Sequence, residues 1–121
     1  MAGKVQVVEQ NVKRKKIISV GTSADATVVK SKPTLLHGLS LINTNAAARF
    51  LKLHDIATTP VAGTTPVEMV VCLPPNVPVN FFFDQPTKFV NGLGYTLVTT
   101  APDNGATAVA ANEITGTLFY I

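Results

Sequence analysis

The stretch Leu35–Ile56, LLHGLSLINTNAAARFLKLHDI, decides how the chain is read. Leu39 and Leu41 alternate with Gly38 and Ser40, and Phe50-Leu51-Lys52-Leu53-His54 resumes the same period of two after an interruption by Asn43-Thr44-Asn45 and three alanines. Side chains two apart share one face of a strand, so each half reads as a strand with one apolar face. The Asn-rich interruption lets the chain reverse, which predicts that the two halves pair antiparallel at the centre of a sheet.

Working outward, further strands are expected on both sides. Ile17-Ile18-Ser19-Val20 reads as a short strand stopped by Gly21, and Asp25–Lys30 as another, ended before Pro33, which cannot donate to a ladder. Val67–Leu73 (VEMVVCL) is nearly continuous in apolar residues and reads as a strand covered on both faces. Val77, Val79, Phe81 and Phe83 lie two apart, with Asn80 and Phe82 on the opposite face. Asp84–Thr87 and Asn91–Gly94 read as connections, Tyr95–Thr100 as a strand, residues 101–112 (APDNGATAVAAN) as a long loop, and Ile114–Ile121 as the closing strand. No stretch has sustained helical periodicity. Seven to eight strands joined by turn chemistry predict an all-β fold, an antiparallel two-sheet β-sandwich of either jelly-roll or immunoglobulin-like topology. The expected organisation is an extended basic arm over residues 1–16 and a sandwich over residues 17–121.

Composition narrows the function classes. A chain of 121 residues suits one domain. Only 14% of residues are charged, against about 25% in ordinary soluble domains, so little charge solvates a large free surface. Charge is also unevenly placed: up to Lys32 seven cations face two carboxylates, and beyond it three face five. The run Lys13-Arg14-Lys15-Lys16 therefore reads either as a simple solvated arm or as a segment that meets an acidic partner. It has no interleaved aromatic residue to stack bases, which favours an acidic protein surface over nucleic acid. The single cysteine, Cys72, lies in the apolar run VVCL and reads as a buried, inert thiol. The N-terminal residues lack the apolar core of a secretory signal and no run is long enough to span a membrane, so synthesis in the cytoplasm without membrane attachment is expected.

Catalytic and metal chemistry find no foothold. His37 and His54 each stand without a second ligand at short spacing, though they would face each other across the expected central pair. His54 and Asp55 are neighbours on a strand and point to opposite faces, so they cannot share a proton. No carboxylate pair has acid–base spacing, and Asn91-Gly92-Leu93-Gly94 lacks the lysine and helix of a phosphate loop. The chain reads as a non-enzyme with no cofactor and no metal. Three consecutive phenylalanines, Phe81-Phe82-Phe83, cannot all enter one core. Phe81 and Phe83 are assigned to it, and Phe82 to a partner interface.

The order DATVVKSKPTLLHGLSLINTNAAARFLKLHD, the loop ATTPVAGTTPVEMVVCLPPN, then FVNGLGYTLVT and ITGTLFYI together resemble small β-sandwich proteins encoded among the virion genes of tailed bacteriophages. The resemblance covers residues 25–121. It implies a structural virion component, a capsid decoration or cement protein that sits on the outside of the phage head, commonly as a trimer, and bridges major capsid subunits. On this reading the partners are the major capsid protein and further copies of the chain. Lys13, Arg14, Lys15 and Lys16 are the nominated contact residues on electrostatic grounds, with Phe82 as a further one. The rival reading is a tail-tip or head-fibre module that recognises a host glycan or protein through residues 58–66 and 101–112.

Overall fold

The computed structural model describes residues 11–121. Eight strands follow one another: β1 (Lys13–Ile18), β2 (Thr27–Lys30), β3 (Thr34–Asn43), β4 (Arg49–Asp55), β5 (Met69–Leu73), β6 (Val79–Phe89), β7 (Leu93–Val98) and β8 (Ile114–Tyr120). They form two four-stranded antiparallel sheets, the first in the order β1-β8-β3-β6 and the second β2-β7-β4-β5. The pairs β1·β8, β2·β7, β3·β6 and β4·β5 are those of a long hairpin wrapped into two layers. This is the jelly-roll solution of the two that the sequence leaves open.

That wrapping overturns the expected central pair. β3 and β4 lie in different sheets, and residues 44–48 arch between them. Among the described residues only β4 and β5 are successive strands that pair. Asn43 fixes the arch: its buried side-chain amide donates to the carbonyls of Ala47 (2.8 Å) and Leu73 (2.9 Å), and its Oδ1 accepts the Asn45 amide at 2.9 Å. A side chain that binds the backbone on both sides of a bend replaces the hairpin ladder. The apolar faces are as read, since Leu39, Leu41, Leu51 and Leu53 all lie in the core between the sheets.

Several further expectations are corrected. The described part of the presumed arm is not an arm: Lys13–Lys16 belong to β1, which pairs along its whole length with β8. A strand tolerates such a charged run at a sheet edge, where its cations reach water. Residues 1–10 of that arm lie outside the described residues. Among the described residues the run Val67–Leu73 is not covered on both sides; β5 is an edge strand there, with Val70 and Cys72 exposed, so the thiol is not buried. Val77 precedes β6 and is exposed. Phe81 is 54% exposed at the sandwich edge, whereas Phe83 does pack against the core. The expected connection Asp84–Thr87 is instead a bulge within β6: Leu36 pairs with Thr87 and Gly38 with Phe82, so Phe83–Pro86 stand opposite His37 alone. Leu93 and Gly94, read as loop, begin β7.

The strands covered on both sides are β4 and β7. Their inner face meets the first sheet, and their outer face lies beneath residues 56–68 and 99–112, which leaves every residue of β7 buried. The outer face of the first sheet has no such cover among the described residues.

Candidate functional site

The strand pleat and register assemble the bare face of the first sheet from residues far apart in sequence. Arg14 lies opposite Phe119, Phe119 opposite Gly38, and Gly38 opposite Phe82, so the four form one row across all four strands. The next row is Lys16, Thr117, Ser40 and Asn80, where the Ser40 hydroxyl donates to Asn80 Oδ1. A third continues with Ile18, Thr115 and Ile42.

Gly38 is the floor of the first row. A Cβ there would stand 2.6 Å from the Phe82 ring and 2.6 Å from the Phe81 carbonyl oxygen. Its absence lets Phe82 lean across β3 toward Phe119, with ring centroids 5.5 Å apart and planes inclined by 42°. Tilted contacts at this distance suit the quadrupoles of the two rings. Phe82 stays 62% exposed, so the pair presents apolar surface to water.

Alternation divides the basic run. Arg14 and Lys16 lie on the bare face with Phe119 and Thr117, while Lys13 and Lys15 share the side of Tyr120 and Leu118 at the rim of the core. Lys88, opposite Leu35, adds a cation near the far end of the first sheet. β1, β3 and β8 contain no carboxylate, and the one in β6, Asp84, sits in the bulge. Three other carboxylates are occupied elsewhere. Asp25 accepts the Val20 and Gly21 amides, Asp55 accepts those of Val90, Asn91 and Gly92, and Glu113 pairs with Arg49 at 2.9 Å. The bare face is therefore both apolar and basic.

The second sheet carries a polar cluster on its loop-covered face. Lys52, only 1% exposed, donates to the carbonyls of Pro102 and Gly105. Burial pushes its ammonium below the usual lysine range, and Asp103 offsets this in part. His54 is fully buried. The Pro66 carbonyl can only accept, so Nδ1 carries the proton and donates to it at 2.9 Å, while Nε2 accepts the Thr96 hydroxyl at 2.9 Å. Burial lowers the His54 pKa; the Pro66 carbonyl raises it and the Lys52 charge lowers it further. Both nitrogens are committed to protein atoms and out of reach of a substrate. The cluster ties the loops to the sheet.

His37 and His54 lie in different sheets and do not face each other. Among the described residues no three His, Cys, Asp or Glu side chains gather to hold a metal, and no helix is long and apolar enough to cross a membrane. The loops of the rival reading do converge. Gly63 approaches Asn104 and Ala106, beside a cleft of about 700 Å3 lined by Ala24, Pro60, Val61, Ala62, Ala106 and Ala108. That lining has no aromatic, charged or amide side chain.

Of the nominated contact residues, Arg14, Lys16 and Phe82 come together on one face, and Lys13 and Lys15 do not join them. Phe119 and Gly38 were missed. The signal for Phe119 was present in Leu118-Phe119-Tyr120, three apolar residues that cannot all face one core. Gly38 is recognisable only once Phe82 is known to lie opposite. No protein-family model matches the chain, and no curated protein or solved structure is significantly similar to it.

Proposed function

We propose that the chain is a structural virion protein, a capsid decoration protein that lays the bare face of its first sheet on the outside of a phage head and bridges major capsid subunits. The observation that carries this reading is the row Arg14-Phe119-Gly38-Phe82, an aromatic pair beside cations on strands whose one carboxylate, Asp84, sits in the β6 bulge. An apolar centre with a charged margin is the anatomy of a protein interface, and the sign of the charge selects an acidic partner. The jelly roll is a fold of viral capsid domains and of lectins alike, so the fold supports a virion role without deciding it. The resemblance of residues 25–121 to phage virion sandwiches points the same way. The molecule acts as a rigid brick, assembles as a homo-oligomer such as a trimer, and makes or breaks no bond.

The glycan-binding alternative is the weaker reading, because the cleft between its loops offers no aromatic plate and no polar side chain beyond Ser23 and Thr59 to hold a sugar. Quantitative staining of purified virions distinguishes the two. A decoration protein is present in hundreds of copies per particle. A handful of copies would indicate a tip or fibre and would overturn the proposal.

A further inference from the structure

Charge gathers on one side of the sandwich. β6 and β5 lie together, since Phe81 and Phe83 share a groove with Met69–Cys72, so the strand orders place the two other edge strands, β1 and β2, at the opposite side. There β1 supplies Lys13, Arg14, Lys15 and Lys16, β2 ends on Lys30, and Lys32 follows it. The one ion pair among the described residues joins Arg49 to Glu113, so none of these six cations is paired within them. Asp25, the carboxylate before β2, is buried and committed to the amides of Val20 and Gly21. Edge protection alone does not account for the run, because MVVCL of β5 and VNFFF of β6 are edge segments with no charge at all.

The backbone of β1 adds a second feature. Just past the strand, the Ser19 amide donates to the Ile114 carbonyl at 2.9 Å, and the register with β8 runs unbroken from Ile18 back to Lys13. Alternate residues of an antiparallel strand turn N–H and C=O toward the same neighbour. Ile17, Lys15 and Lys13 therefore direct these groups to β8, and Ile18, Lys16 and Arg14 direct theirs away from it, where no described strand pairs with them. The cations meanwhile alternate between the two faces of the sheet. A ligand that lies along this edge, and not on either face, reaches all four of them together with the open backbone groups.

We infer that β1 takes up an extended acidic segment of another protein as an added strand. Only a polypeptide backbone offers donors and acceptors in alternation to match the open N–H and C=O groups of Arg14, Lys16 and Ile18. Phosphates only accept, and no aromatic residue in KRKKII stacks a base, so nucleic acid fits the edge less well. Successive carboxylates on the added strand fall on alternate faces, opposite Lys13 and Lys15 on one and Arg14 and Lys16 on the other. This chain has no such segment to offer a second copy, for its two nearest carboxylates, Asp103 and Glu113, are ten positions apart. Strand addition goes beyond docking through the bare face: it uses Lys13 and Lys15, which that face lacks, and does not use Phe82, so the two readings fail separately.

The test uses the isolated full-length protein and a fluorescein-labelled hexapeptide of two valines followed by four glutamates, compared with the same peptide N-methylated at every amide, which keeps the charge and removes the donors. The expected result is saturable binding of the first peptide and none of the second. The first should also slow hydrogen exchange of the Arg14, Lys16 and Ile18 amides, followed by NMR. Lys13→Glu with Lys15→Glu should weaken binding at least about tenfold by putting like charges opposite the glutamates, whereas Phe82→Ser should leave it unchanged. No binding up to about 1 mM, equal binding of the N-methylated peptide, unchanged exchange of the three amides, or tighter binding of a six-nucleotide oligothymidylate would each overturn the inference. Should the double variant fail to fold, the two peptides and the exchange pattern decide alone.

Discussion

At the scale of single residues, the buried polar groups of the second sheet make the pH dependence of stability predictable. His54 has a lowered pKa in the folded state, so between that value and the ordinary 6.5 the unfolded chain binds more protons. Stability from this site is complete above 6.5 and is lost as pH falls below it. The urea midpoint should drop as pH is lowered through 6.5, and His54→Gln should flatten that drop while lowering the midpoint throughout. Asp55 behaves similarly in a lower range. Burial would raise its pKa, but the amides of Asn91, Val90 and Gly92 outweigh this and hold it below 3.8. Its contribution is present above 3.8 and disappears as pH falls further. Asp55→Ala, which leaves three amides without their acceptor, should cost about 1–3 kcal/mol in denaturant unfolding at neutral pH.

At the scale of elements, the bend after β3 and the floor of the aromatic row are the sensitive points. Asn43→Leu removes the side-chain bonds that span the arch and leaves the buried Leu73 carbonyl without the Asn43 donor, a loss of about 1–3 kcal/mol per orphaned group. Gly38→Ala places a methyl against the Phe82 ring and the Phe81 backbone. It should destabilise the fold by about 1–3 kcal/mol and increase the solvent accessibility of Phe119, which hydroxyl-radical footprinting can follow. These elements also mark what the sequence discloses. Alternation in LSL and LKL identified Leu39, Leu41, Leu51 and Leu53 as inward because the pleat fixes the face of a residue locally. It says nothing about which strand lies alongside, and in a jelly roll most successive strands belong to opposite sheets. The same limit hid the edge position of β5, since VVCL reads alike whether a second neighbour covers it or water does. The candidate face was half legible: Phe82 follows from the alternation of Phe81–Phe83, but its neighbours Phe119 and Arg14 are brought to it only by the register of β8 and β1.

At the scale of the whole molecule, the two sheets have different duties. The second is sealed on its outer side by loops that Lys52, His54 and Thr96 hold down, so its polar groups are spent on rigidity. The first presents a face that is uncovered among the described residues and carries Arg14 and Lys16. Docking through that face should weaken as salt screens it, over a Debye length of about 10 Å at 0.1 M, with the loss mainly in the association rate. The aromatic pair should instead control how long the complex lasts, so Phe82→Ser should speed dissociation with little effect on the salt dependence. The most direct test is the number of copies retained on phage capsids that lack the protein, comparing the wild type with an Arg14→Glu, Lys16→Glu, Phe82→Ser triple variant of unchanged melting temperature. Occupancy is expected to fall at least about tenfold, equivalent to about 1.4 kcal/mol of binding; full occupancy by the folded variant would contradict docking through this face.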